Sequence, residues 1–400
     1  MRPNSPILVA LPYIGIGLAW AMNMTVIPML AATHTNTSAR IGLLVAMGAL
    51  SGVWVPVLVG AVSDRTRSRL GRRRPFLIGG TALAALTLCL LPYAPSYPWL
   101  LAVATVFYVC EQALLTAAQS LISEAVEPHH LGLCNGLARV FTIVGYGLTF
   151  AGSPRLWNLR RSAPFFAAAA VQSISVLGSV GSVREDSSRY EAPPALSFDF
   201  LKYPSFVRLN VVVFFSHLAY GFLNNFVIRY CKEALGISET DSGTAMLMLV
   251  VGGAVLGYPV GRLSDRISRR TVLLAGLLIY SLALALGWFA TTTAGLYVVC
   301  TVLGVGYIAV QISLYALLAD VTPRSRTGEF TGIMNLFVNL PQVIGMLAMG
   351  ALLDRVGYGL FFTLPLVATL CAFLVTLGSQ FRADGTRPAD SPSPAPGAKA

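Results

Sequence analysis

The sequence predicts an all-α integral membrane protein with twelve transmembrane helices in two pseudo-symmetric six-helix bundles. Three observations predict it. Of the 400 residues, 55% are hydrophobic and only 11% charged, and the mean hydropathy of +0.69 lies far outside the range of a water-soluble globular chain. Twelve apolar runs are each of a length that crosses a hydrocarbon core, which takes roughly 20 helical residues. One loop signature also occurs twice. Gly60-Ala-Val-Ser-Asp64-Arg65, followed by Gly71-Arg-Arg-Arg-Pro75, returns as Gly261-Arg-Leu-Ser-Asp265-Arg266 followed by Arg269-Arg270.

Taken in order, the first run (7–31) follows a leader whose one charge is Arg2 and is too long for a signal-peptide core, so it reads as a retained crossing. Runs 41–62 and 76–95 flank the first copy of the signature, 99–125 and 132–152 flank a second landmark from Glu124 to Gly136, and 163–183 closes the first half. Runs 207–229, 243–261, 271–290, 294–319, 328–352 and 358–378 repeat the plan, with Asp320 to Gly332 echoing the second landmark. The aspartates of the signature are 201 positions apart (64 to 265), and Gly132 to Gly328 and Gly136 to Gly332 are each 196 apart. Two landmarks at nearly one offset mean two homologous halves, an arrangement in which secondary transporters place their substrate site at the repeat interface near the bilayer midplane. The expected units are an N-terminal bundle over 1–183, a charged and proline-containing linker over 184–206, a C-terminal bundle over 207–378, and a disordered Pro/Ser/Ala-rich tail over 379–400.

A net charge of +11 would suggest an acidic partner for a soluble protein, but its distribution decides otherwise. The N-terminus, the even-numbered loops and the tail hold 20 of the 28 Lys and Arg, the odd-numbered loops hold 7, and Arg139 lies inside the fifth run. By the positive-inside rule both termini are cytoplasmic in a multi-pass cell-membrane protein. Arg155, Arg160 and Arg161 run against the tally in the third odd loop. The six cysteines have no regular spacing; five read as packing residues and Cys231 as exposed.

The duplicated G-x-x-x-D-R loop with its arginine cluster resembles the signature of the major facilitator superfamily, and the resemblance covers all twelve runs. The longer first copy, Asp64-Arg-Thr-Arg-Ser-Arg-Leu-Gly71-Arg-Arg-Arg-Pro75, is similar to that of sucrose/proton symporters and their glycoside-cation relatives, as are Trp20-Ala-Met-Asn-Met-Thr25 before Pro28 and Gly332-Ile-Met-Asn335 through Pro341-Gln342. Drug/proton antiporters of the superfamily carry a G-P-x-x-G-G motif in the fifth helix, which Gly145 to Pro154 lacks. The resemblance implies the major facilitator fold and proton-coupled symport of a sugar or glycoside, with proton-driven export of a drug or natural product as the alternative. No G-x-x-x-x-G-K-[ST] loop and no D-D-x-x-D, G-x-S-x-G or H-E-x-x-H motif is present, so an ATPase or an integral-membrane enzyme finds no support.

Candidate residues follow from charge and spacing. Asp64, Arg65, Arg73 and Glu124, with Asp265, Arg266, Arg270 and Asp320 in the second half, form an expected cytoplasmic gate. In it Glu124 pairs with Arg73 and Asp320 with Arg270, a latch that breaks on inward opening. The alternative is that the arginines only fix topology and bind anionic lipid. Ionisable groups deep in a membrane are functional candidates by default. Glu111, about 14 residues or on the order of 20 Å from the cytoplasmic end of its helix, suits proton coupling, against a structural glutamate satisfied by groups such as Gln112. Arg139 suits either substrate contact or pairing with Glu124. His217, Tyr220 and Asn224 share one helical face, and so do Tyr307, Gln311 and Tyr315. With Trp20 and Asn23, the resemblance places these stripes around a central cavity where amides bond sugar hydroxyls and aromatic rings stack on sugar faces; the alternative is interhelical polar packing. His217 is a second candidate for coupling. Asn335, Asn339 and Gln342 read as packing, and Glu124, Glu127, His129 and His130 as a loop in preference to a metal site. The implied partners are a small-molecule substrate, protons or another coupling cation, and membrane lipid. No cofactor, metal or nucleic acid is expected, and one chain suffices to function.

Overall fold

Hydrocarbon offers backbone N–H and C=O groups no water to bond, so apolar runs of this length fold as helices whose bonds close within each segment. The computed structural model describes residues 5–66, 68, 71–127, 130–183, 198–322 and 327–381. Six helices build the first half: α1 (Pro6–Ala32), α2 (Ser38–Arg65), α3 (Arg74–Leu90), α4 (Tyr97–Ala125), α5 (Leu131–Leu159) and α6 (Ala163–Ser182). Six build the second: α7 (Pro204–Leu223, continued by Val227–Leu235), α8 (Glu239–Arg266), α9 (Arg269–Gly287), α10 (Thr293–Val321), α11 (Thr327–Val356) and α12 (Thr363–Gly378). Eleven of these are long and apolar enough to cross a membrane, and α12 is a shorter apolar helix of 16 residues. Residues 184–197 of the expected linker and 382–400 of the expected tail lie outside the described residues, and Phe198–Lys202 is a single 3-10 segment before α7.

Both halves obey the repeat. Helices α4 and α10 are each 29 residues long and begin 196 positions apart (97 and 293), while α2 and α8 are each 28 long and begin 201 apart (38 and 239). The first helix of each half is broken. In α1 the break falls at Thr25, whose hydroxyl donates back to the Ala21 carbonyl at 2.8 Å; in α7 it falls at residues 224–226. Prolines lie inside α2, α5, α8 and α11 (Pro56, Pro154, Pro259, Pro341), where a missing N–H and a ring clash bend a helix. These four helices also carry the contact between the halves, α2 against α11 and α5 against α8. Large apolar side chains left exposed on α3, α6, α9 and α12, such as Leu86, Ile174, Leu282 and Leu374, face outward where lipid takes the place of water.

The halves meet at one end and part at the other. At the end remote from the arginine loops, backbones approach closely. A Cβ at Gly350 would lie 2.6 Å from the Ser38 carbonyl oxygen, so only glycine lets α11 come this near to α2. There the Ser38 and Ala39 N–H groups donate to Asp354 at 2.5 and 2.8 Å, and Asn158 of α5 donates to Thr240 of α8 at 3.3 Å. Towards the loop end the contact is lost. Gly60, Gly136 and Gly332 have open space where a side chain would stand, and Val57, Leu58 and Val62 on α2 are exposed. The chain is thus open at the end that carries the duplicated loops. Cys231, expected at the surface, is fully buried, because the short helix after the α7 break packs back against α8.

Candidate functional site

The break in α1 and the break in α7 face each other across a cavity of about 540 Å³, a figure that includes space open to solvent. Trp20 and Asn23 line it from α1, Glu111 and Gln112 from α4, Tyr220 from α7 and Asn225 from its break, and Asn339 and Gln342 from α11. One carboxylate, five carboxamides and several aromatic rings therefore converge near the middle of the membrane span, with no basic group in the lining.

Glu111 is 4% exposed, and its Oε1 accepts a hydrogen bond from Nε2 of Gln172 on α6, while its Oε2 has no partner. Asn225, equally buried, leaves its Oδ1 unpartnered as well. Buried acceptors without donors are costly. Other polar groups are already engaged. Tyr108 donates to the Asn23 Oδ1 at 2.6 Å, and the Asn339 and Gln342 amides each donate to a carbonyl of their own helix at 2.9 Å.

Several expected residues lie elsewhere. Asn224 does not line the cavity: it donates to the Met24 sulfur at 3.3 Å, and the break in α7 turns Asn225 inward in its place. Tyr307 stacks behind Tyr220 with centroids 5.1 Å apart, so it supports the wall without forming it. His217 is held at both ring nitrogens. Its Nδ1 bonds the Val213 carbonyl at 2.9 Å and its Nε2 meets the Gln311 amide at 3.1 Å, which spends Gln311 too and leaves the imidazole no opening onto the cavity. Tyr315 and Arg139 are exposed towards the open end, and Arg139 makes no hydrogen bond or ion pair among the described residues. Sequence reasoning set aside Asn339 and Gln342 as packing and did not single out Gln172. A lone glutamine in the Ala-rich stretch of α6 was the signal for the last.

At the loop end, Arg73 is 4% exposed and reaches Glu124 with Nε at 3.0 Å and Nη2 at 2.7 Å, while its Nη1 donates to the Ser63 hydroxyl. The second half corrects the expected pairing. Arg269, not Arg270, bonds Asp320 at 2.5 Å, and Arg270 donates to the Thr376 and Leu377 carbonyls at the end of α12. Arg74 likewise donates to the Val180 carbonyl near the end of α6. Arg73 to Arg269, Arg74 to Arg270, Glu124 to Asp320 and Val180 to Thr376 are each 196 positions apart, so the true equivalences follow the second landmark and not the aspartates of the loop. Both ion pairs join helices within one half and are formed while this end stands open, which removes the expectation of a latch that breaks on opening. Arg65 and Arg266 are exposed, and the side chains of Asp64 and Asp265 lie outside the described residues. Among the described residues no cluster of metal-ligating side chains occurs.

The model of the Major Facilitator Superfamily matches residues 9–190 and 209–399, nearly the whole chain. The chain belongs to this superfamily. It is a multi-pass membrane protein of a transporter family with the major facilitator fold, and the crystal structure of the nucleoside transporter NupG superposes with a TM-score of 0.72 at 15% identity, covering 93% of this chain and 97% of that one. The multidrug resistance protein MdtM of Salmonella typhimurium is 30% identical over 142 residues, 32% of each protein, and the sucrose transport protein SUC4 of Arabidopsis thaliana is 31% identical over 85 residues, 21% of this chain and 17% of that protein. Such alignments span between 17% and 38% of these relatives' lengths.

Proposed function

We propose that this superfamily member is a proton-coupled symporter of a neutral, hydroxyl-rich small molecule, a sugar or glycoside, working by alternating access as a monomer in the cell membrane. The observation that carries this reading is a cavity lined by five carboxamides, aromatic rings and the single carboxylate of Glu111. Carboxamides bond sugar hydroxyls, and rings such as Trp20 and Tyr220 suit the apolar faces of a pyranose. Glu111 is the one carboxylate in the lining, so it is the group placed to carry the proton. The local likeness to a sucrose transport protein supports the same class. With the arginine loops and both termini in the cytoplasm, the open end faces the cytoplasm.

Proton-driven export of a drug or natural product is the second reading. The wide opening at the loop end, with exposed Arg139 and Tyr315 along it, and the likeness to a multidrug resistance protein favour it. Uptake of a labelled sugar panel, sucrose and maltose included, by purified protein in liposomes separates the two. The symport reading expects accumulation driven by inward proton flow and abolished by a protonophore, with Glu111→Gln losing the pH-driven component but keeping sugar exchange. If no sugar enters and an amphipathic dye is extruded instead, the protein is an exporter.

A further inference from the structure

Gln172 is fully buried on α6, outside the cavity lining, and its one recorded side-chain bond is the donation from Nε2 to Glu111 Oε1. Once that bond is made, each side chain keeps exactly one oxygen with no partner, Oε2 on Glu111 and Oε1 on Gln172. While the carboxylate is ionised both oxygens are acceptors, so neither satisfies the other. A single proton on Glu111 Oε2 can serve both: turned towards Gln172, the new O–H donates to its Oε1 and closes a two-bond carboxyl–carboxamide ring around the recorded Nε2–Oε1 bond.

Resting on the reading of Glu111 as the coupling group, we propose that Gln172 is its positioning residue, pairing with the protonated side chain and releasing the ionised one into the cavity. The proton comes from a hydronium ion in the cavity, whose O–H bond breaks as the bond to Oε2 forms and leaves water. Release reverses the step and leaves both oxygens again as acceptors without a donor. Gln172 is suited to hold still while Glu111 moves. Gly15 of α1 passes so close that a Cβ there would lie 2.8 Å from the Gln172 Cα, and Ser175 donates to the Gln172 carbonyl at 3.0 Å. The surroundings leave the exchange to this pair. Helix α6 carries no titratable side chain, Cys110 adjoins Glu111 on α4, Tyr13 is the nearest such group of α1, and the charges of α2 and α3 lie at the helix ends. Arg139 of α5 lies towards the open end and makes no ion pair with Glu111.

Infrared difference spectra of the purified protein in lipid, recorded over a pH series with no substrate added, test this directly. The protonated carboxyl C=O band that disappears in Glu111→Gln reports Glu111. The proposal expects that band to shift to higher frequency in both Gln172→Leu and Gln172→Met, because the C=O loses its donor and the O–H its acceptor. Two variants of different shape guard against a folding defect in one. A Glu111 band that neither variant moves overturns the role of Gln172 and leaves proton coupling standing. The absence of a Glu111 band at every pH overturns the coupling reading itself, and this inference with it.

Discussion

At the scale of single residues, the site is an account of donors and acceptors. Asn225 lines the cavity with an unpartnered Oδ1, whereas its neighbour Asn224 is spent on Met24. Asn225→Ala should therefore weaken substrate binding by one hydrogen bond, about 1 kcal/mol or roughly fivefold in KM. Asn224→Ala should leave KM within twofold and act on stability. Initial-rate uptake with each variant measures both, and equal effects would return the two asparagines to a common packing role. The sequence could not make this distinction. A regular helix puts residues 217, 220 and 224 on one face, but the α7 helix ends at Leu223, and that single interruption brings the amide of residue 225, not 224, to the cavity. Glu111 stood out as a carboxylate inside an apolar run, Trp20 and Asn23 through the family resemblance and Tyr220 through helical spacing, and all four line the cavity. Gln172 was not, because its importance comes from a contact with α4 that no spacing within α6 encodes.

At the scale of elements, two equivalent ion pairs should differ sharply in worth. Arg73 and Glu124 have side chains 4% and 7% exposed, and Ser63 completes the cluster, so α2, α3 and α4 are tied through buried charge. Arg269 and Asp320 are 32% and 46% exposed. Removing one partner of a buried pair strands a charge and costs about 3–5 kcal/mol, while an exposed pair is worth about 0–1 kcal/mol. Arg73→Ala should thus lower the midpoint of thermal unfolding in detergent strongly, Arg269→Ala barely, and Arg73→Met with Glu124→Leu together should recover most of the loss. Equal shifts for the two arginines would mean that the pairs serve the same structural end. The duplication itself was plain in the sequence. The pairing in the second half was misplaced by one residue: at the offset of 196 that the second landmark sets, Arg73 corresponds to Arg269 and Arg74 to Arg270.

At the scale of the whole molecule, the closed end is held by a feature that repeats the loop signature in a third place. Gly350-Ala-Leu-Leu-Asp354-Arg355 has the same G-x-x-x-D-R form as the two loops but sits at the opposite end of the bundle. Its glycine admits the α2 backbone, and its aspartate accepts the first two N–H groups of α2, the donors that a helix start leaves without partners. The proposed alternating access requires this joint to part when the loop end closes. Hydrogen bonds to a charged group contribute about 1.5–3 kcal/mol each, and every 1.4 kcal/mol changes a population ratio tenfold. Asp354→Ala should therefore move the resting distribution by at least tenfold towards the state open at this end. Spin labels at Thr37 and Val356 should report longer distances, and a pair at Val62 and Leu336 shorter ones. Should the first pair lengthen with no change in the second, the two ends are not reciprocally coupled and Asp354 only stabilises a local contact. A reciprocal change would make this aspartate a determinant of which face the carrier presents, in a chain whose halves are otherwise related by simple repetition.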